Sequence, residues 1–264
     1  VASGKPGALT EISEKSDLEI ALQGAANMAE ALRAGITTVR DCGGVAEVVL
    51  ALREASRSGL LPGPRIIASG APVTTTGGHC HYFRLEAEGR TEILQAMRRM
   101  HKLDVDFFKV MVTGGGSTPG SNPSASQYSG RELTIMAEEA HRLGRKITGH
   151  AHGTEGITLA MDAGFDGLEH CSWLDRSGAG IHYDENLVKI MVDRKTVICR
   201  TIAGFERWNL EQIKKKHPAN NNFESFRKMV IAGVPIIAGT DAGIDETNFA
   251  GLCKATVFPS HNNL

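Results

Sequence analysis

One stretch, KITGHAHGTEGITLAMDAGFDGLEHCSWLD from Lys146 to Asp175, limits what this chain can become more than any other. It reads as strand, helix, strand. Lys146–Ala151 is a short run carrying His150 near its end, Thr154–Ala163 has helical spacing and stops at Gly164, and Phe165–Cys171 is a second strand with His170 near its end. Two strands joined by a helix form a right-handed βαβ unit with the strands parallel. Both histidines then stand at the carboxyl ends of neighbouring strands, where α/β barrels carry their chemistry. A single strand-end histidine is most often structural. Two in adjacent units, with Asp241 after a third strand, have the makings of a metal site.

The same alternation runs through the rest of the chain. Helices are expected at Ser16–Ala34, Val45–Ser58, Glu92–Leu103, Ser129–Leu143, Glu185–Asp193 and Phe223–Ala232, with another beginning in Gly251–Leu264. Ser16 with Glu19, and Ser129 with Glu132, have the spacing of capping boxes, and Asn222 can cap the helix that follows it. Leu18, Leu22, Ala25, Ala29 and Leu32 predict one apolar stripe on the first helix. The remaining strands are expected at Ile36–Asp41, Arg65–Ser69, Phe107–Val112, Thr196–Thr201 and Val234–Ala238, which makes seven. Helix and strand in alternation, without a hairpin signal, predict an α/β fold with a parallel sheet and helices outside. Polar residues follow many strands, which favours a (β/α)8 TIM barrel over an open sheet with one crevice. The first helix precedes the first visible strand, so the expected domain, residues 1–264, is a barrel incomplete at both ends and lacking its first strand. Gly70–Gly89 and Thr113–Ser129 are long irregular stretches after strands, the usual form of binding loops.

Composition narrows the function classes. A formal net charge of −1 gives no bias toward nucleic acid, and the basic run Lys214–Lys216 suits a solvated helix face. No apolar stretch approaches the ~20 residues of a membrane span. Five cysteines without CxxC spacing argue against both a disulfide framework and a structural zinc knot, and suit a reducing, cytoplasmic setting.

Lys109 lies among bulky apolar residues in FFKVMV. Burying an ammonium is costly unless it is paired. Lys109 is therefore either half of a buried pair with Glu169 or Asp41, or an amine that reacts with carbon dioxide to give a carbamate able to bridge two metal ions. His150 and His170 offer nitrogens suited to zinc. His152 shares the face of His150 and is expected either near substrate or facing solvent, whereas strand alternation turns Glu169 away from His170. Asp241 in AGTDAG is either a metal ligand and general base or a helix cap. Arg200 is expected to pair with a substrate carboxylate, or with a structural partner. The Gly-rich run Thr113–Gly120 has no GK[ST] after it and is a weak phosphate signal.

GITTVRDCGG, TTTGGHCH, FFKVMVTGGG, ITGHAHG, GLEHCSWLD and AGTDAG, in this order, resemble the amidohydrolase superfamily. The branch most similar holds imidazolonepropionase-like hydrolases and prolidase-type zinc dipeptidases and carboxypeptidases. The resemblance implies a barrel with one or two divalent metal ions, zinc by preference. It makes Lys109 a carboxylated bridging ligand, His150 and His170 histidine ligands, Asp241 a ligand and general base, and His79 of the TGGH loop a substrate contact. One departure stands out. The family's first-strand HxH pair has no counterpart before Ser16, and its flanking β-sandwich is absent, so a fragment of a longer protein is expected.

The function expected is hydrolysis of an amide bond in a dipeptide or N-acyl amino acid by metal-activated water, with cyclic amide opening or deamination as the runner-up. A non-catalytic barrel is the reading from another class, and an HxH pair upstream of Val1 separates the two. The 264-residue chain alone is expected to turn over poorly. A small-molecule substrate, no nucleic acid, no membrane and a homo-oligomer complete the expectations.

Overall fold

The computed structural model of the chain describes residues 7–201 and 223–244. Expectations at Lys214–Lys216, Asn222 and Gly251–Leu264 lie outside the described residues. After a 3-10 turn at Thr10–Ser13, the order is α1 (Asp17–Arg33), β1 (Thr38–Asp41), α2 (Ala46–Arg57), β2 (Arg65–Ala68), α3 (Gly89–Lys102), β3 (Phe107–Met111), α4 (Gly130–Arg142), β4 (Lys146–Gly153), α5 (Thr154–Ala163), β5 (Gly167–Leu174), α6 (Glu185–Asp193), β6 (Val197–Thr201), α7 (Phe223–Ala232) and β7 (Ile236–Gly239).

Local chemistry explains the boundaries. Both predicted capping boxes form: the Ser16 and Ser129 hydroxyls accept from the backbone three residues on, and Glu19 and Glu132 reach back to the cap N–H groups. Gly164 closes α5 at φ 89°, a left-handed conformation that a side chain would resist. The strands β4 and β5 run further toward their carboxyl ends than the sequence pattern suggests, to Gly153 and Leu174.

Among the described residues every pairing between these strands is parallel. One ladder joins β1 to β2, and a second runs β3-β4-β5-β6-β7. Val73 links them: its N–H donates to the Lys109 carbonyl and its own carbonyl accepts from Met111 N, both at 2.9 Å. The strands therefore follow one another in chain order. The sheet is also curled. Strands β1 and β5 stand four steps apart, roughly 19 Å on a flat sheet at about 4.8 Å per step. Yet Arg40 on β1 reaches Glu169 on β5 at 2.8 Å. Sequential parallel strands curled on themselves with helices outside are the arrangement of a (β/α) barrel. Among the described residues no ladder joins β1 to β7. These two strands are the least covered: β3 and β5 are buried throughout, while β1 and β7 keep partly or fully exposed positions.

The apolar core fills the layer between sheet and helices, with Phe108, Val110, Ile147, Leu168 and Ile198 against Ile93, Met97, Met136, Ile157 and Met191. On α1 the predicted stripe is not the buried face. Leu18 and Leu22 are 69% and 65% exposed, while Ile20, Gly24, Asn27, Met28 and Ala31 are covered. Leucine at helical spacing marks an apolar stripe but not which neighbour meets it, and here Met28 packs beneath the Gly63–Pro64 turn instead. Among the described residues no helix is long and apolar enough to cross a membrane, and Cys42, Cys80, Cys171 and Cys199 are free thiols.

Candidate active site

Side chains from the carboxyl ends of the strands meet in a cavity of about 540 Å³. Its lining includes Asp41 after β1, His79 and Cys80 from the loop after β2, Lys109 on β3, His150 and His152 on β4, Glu169 and His170 on β5, Thr201 on β6, and Asp241 after β7.

Four histidine rings form its centre. The rings of His79 and His150 lie 4.5 Å apart, His150 and His170 4.6 Å, and His152 stacks on His170 at 4.5 Å with 16° between planes. Period-two alternation places His150 and His152 on one face of β4. The same rule would turn Glu169 and His170 to opposite faces, and here the structure corrects it. His170 and Cys171 have φ of 67° and 51°, and the β4–β5 register shifts beside them. The irregular strand lets Glu169 and His170 both face the cavity. Positive φ in non-glycine residues is uncommon, and it clusters at functional sites; Asp241, at φ 55°, is another case.

Each ring is held by at least one hydrogen bond. His170 Nδ1 meets Thr201 Oγ1 at 2.7 Å, His152 Nδ1 meets Ser172 Oγ at 2.8 Å, His150 Nε2 meets the Gly114 carbonyl at 3.0 Å, and His79 Nδ1 meets Thr118 Oγ1 at 2.9 Å. Burial, and the neighbouring imidazoles and Lys109, hold His150 and His170 well below the usual histidine range, and burial takes His79 down to about 4. His79, His150 and His170 are therefore neutral near pH 7 and keep lone pairs to offer a cation. One ligand atom each from His150, His152 and His170 lies within 4.8 Å of the other two, so these three residues fit a metal ion. Tetrahedral ligation at about 2.0–2.1 Å needs nitrogens roughly 3.3 Å apart, a modest inward closure.

Lys109 is 4% exposed, and among the described residues its ammonium makes no hydrogen bond and no ion pair within 4.0 Å. Both carboxylates weighed as its partner are held elsewhere. Asp41 Oδ1 accepts from Gly43 N at 3.0 Å. Glu169 accepts from Arg40 Nη2 on both oxygens, at 2.8 and 2.9 Å, and from Thr148 Oγ1 at 2.8 Å. Burial alone would raise the Glu169 carboxyl, but the fields of Lys109 and Arg40 and the Thr148 hydroxyl hold it below its ordinary value. Asp241 shows the opposite balance. It lines the cavity, and desolvation there pushes its carboxyl up to about 6 against the pull of Lys109.

Of the residues singled out in the sequence, Lys109, His79, His150, His152, His170 and Asp241 line one cavity. Arg200 does not. Its neighbours on β6, Cys199 and Thr201, line the cavity, so Arg200 points to the other side of the sheet, and its Nη1 donates to the His170 carbonyl at 3.3 Å. That contact braces β5. Sequence reasoning missed the Arg40–Glu169 pair. The only trace of it was a charged residue inside the β-branched run ITTVRD.

The two long loops close over the histidines. Thr118 Oγ1 also accepts from Cys80 N at 3.1 Å, and Gln127 accepts from His79 N at 2.7 Å. A Cβ at Gly115 would sit 2.4 Å from His79 Nε2, so the backbone packs directly on the ring. Strand-end imidazoles, a buried lysine and a carboxylate under loops form a built site.

Known proteins are similar to this chain in sequence and fold. Ochratoxinase from Aspergillus niger is 28% identical over 238 residues, covering 80% of this chain and 49% of its own length. The chain thus spans about half the length of the curated relatives it matches. A crystal structure of a Xaa-Pro dipeptidase with bound methionine superposes with a TM-score of 0.77 at 28% identity, over 92% of this chain and 64% of that one. The crystal structure of A. niger ochratoxinase gives 0.77 at 24% identity, over 92% and 60%. A model of the amidohydrolase family matches residues 14–261, and the chain belongs to that family.

Proposed function

We propose that this protein is a metal-dependent hydrolase that cleaves the amide C–N bond of a dipeptide or N-acyl amino acid. The observation that carries this reading is the convergence of His150, His152 and His170 with the unpaired amine of Lys109 and the carboxyl of Asp241 in one cavity. The similarity to a Xaa-Pro dipeptidase and to ochratoxinase supports the choice of an amide.

His150, His170, Asp241 and Lys109 as its carbamate would hold one or two divalent ions, with His152 joining the histidine set. Nitrogen and hard oxygen donors suit zinc. A divalent ion so held supplies Lewis acidity, lowering the pKa of water to about 7 and polarising a carbonyl. Asp241 takes the proton of the attacking water on its carboxylate and returns it to the leaving nitrogen. Its raised affinity for protons suits that exchange. Thr201 and Ser172 keep the His170 and His152 rings oriented, and the loops joined through Thr118 exclude bulk water. His79, clamped between Gly115 and Thr118, contacts the substrate. The working compartment is cytoplasmic and the active form a homo-oligomer.

The test assays the 264-residue chain and the full reading frame that encodes it. Each is loaded with zinc in bicarbonate and offered dipeptides, N-acyl amino acids, cyclic imides and lactones. Preferred release of a free amino acid supports the proposal. Turnover confined to cyclic imides or lactones overturns the substrate class, and no zinc-dependent turnover in either form overturns the enzyme.

A further inference from the structure

The Arg40–Glu169 pair spans the interior yet takes no part in the chemistry above. Glu169 is 3% exposed and Lys109 4%. Lys109 pairs in register with Thr148 on the next strand, and Thr148 holds Glu169 through its hydroxyl. A buried carboxylate is thus tied to the very residue that stands in register with Lys109, and both side chains line the same cavity. An ammonium in this position would ordinarily close on such a carboxylate, because an unpaired buried charge is costly. It does not. Arg40 engages both Glu169 oxygens from β1, and its guanidinium lies 5.3 Å above the Phe107 ring, which fixes its direction of approach.

We infer that Arg40 is a positioning residue: by holding Glu169 in a two-oxygen grip, it keeps that carboxylate off Lys109 and leaves the lysine amine open to a small electrophile. The inference rests on the carbamate reading only for its purpose. In that reading the lysine nitrogen attacks the carbon of carbon dioxide, a C–N bond forms, one C=O electron pair moves to oxygen, and the nitrogen releases a proton to solvent. A lysine locked against Glu169 would be withheld from that step.

The experiment treats metal-free, carbon-dioxide-depleted protein with cyanate. The amine attacks the carbon of isocyanic acid, the protonated form of cyanate, and one amine proton moves to its nitrogen, leaving a neutral urea. Occupancy at Lys109 is read by peptide mass spectrometry, with Lys109→Arg as the blank. Wild type should label readily. Arg40→Met should label about tenfold more slowly, because Glu169 is freed to pair with the ammonium. Arg40→Met/Glu169→Gln should recover to within about twofold of wild type, and Arg40→Lys should remain near it. Two results overturn the inference: wild-type labelling in Arg40→Met, or a double variant as slow as Arg40→Met while its circular dichroism and Tm match wild type. A parallel 13C NMR spectrum in labelled bicarbonate separates the two ideas. Arg40-dependent cyanate labelling without a Lys109-dependent carbamate carbon sustains the role of Arg40 and overturns the carbamate reading.

Discussion

At the residue scale, burial is what shifts the imidazoles of His79, His150 and His170 down and the carboxyl of Asp241 up. Lys109→Ala removes the amine and Asp241→Asn removes the proton acceptor, and each should abolish turnover, a loss of at least about 100-fold of the kind general acid–base groups contribute. Wild-type-like kcat/KM in either variant would contradict the mechanism. Gly115→Ala is a sharper probe of geometry, since the new methyl would meet His79 Nε2 at 2.4 Å. Relieving that overlap should cost about 1–3 kcal/mol in stability or displace the ring. The expected readout is a fall in kcat/KM with zinc affinity retained; unchanged kinetics would remove His79 from substrate contact. His150, His170 and Asp241 stood out in the sequence because each lies near or just after the end of an expected strand, and Lys109 because it lies inside one among apolar neighbours. The inward turn of both Glu169 and His170 did not. It depends on left-handed backbone at His170 and Cys171, which alternation rules cannot foresee.

At the element scale, the helices were legible where caps and glycine stops agreed, and less so where only one apolar stripe spoke. The two capping boxes and the stop at Gly164 form as the residues dictate. The buried face of α1 differs from its leucine stripe because tertiary neighbours, not periodicity, choose the face. The helix layer carries one strong ionic clamp. Glu139 on α4, 5% exposed, accepts from Arg98 on α3 and from Arg142 on its own helix, all at 2.7 Å. The Arg142 hydrogen bonds, aided by Arg98 and opposed by desolvation, bring its carboxyl down to about 2. A carboxyl with a depressed folded value stabilises above its unfolded value of about 4.3 and loses that stability as pH falls toward the folded value. Urea unfolding should therefore show wild type losing stability between about pH 4.5 and 2. Glu139→Gln should be about 1–2 kcal/mol less stable at pH 7 and should converge on wild type in acid. Parallel curves at all pH values would contradict this.

At the scale of the whole molecule, strand order and helix alternation were legible because helix, stop and strand recur along the chain. The curl of the sheet was not, since it depends on contacts such as Arg40–Glu169 between strands four steps apart. That curl gathers residues spread from Asp41 to Asp241 into one cavity. Chelation should then act on the fold as well as the site. A ligand bound only to the folded state stabilises it by mass action, so zinc at 100 times its Kd should add about 2.7 kcal/mol and raise Tm. His150→Asn/His170→Asn should abolish that rise, and a zinc-independent Tm in wild type would contradict it. The central claim is that this cavity holds the metal. Crystals grown with equimolar zinc and measured at the zinc edge test it most directly. The account predicts an anomalous peak among His150, His152 and His170, with nitrogen or oxygen ligands at about 2.0–2.2 Å. Strong zinc peaks elsewhere, with none between these three rings, would contradict it.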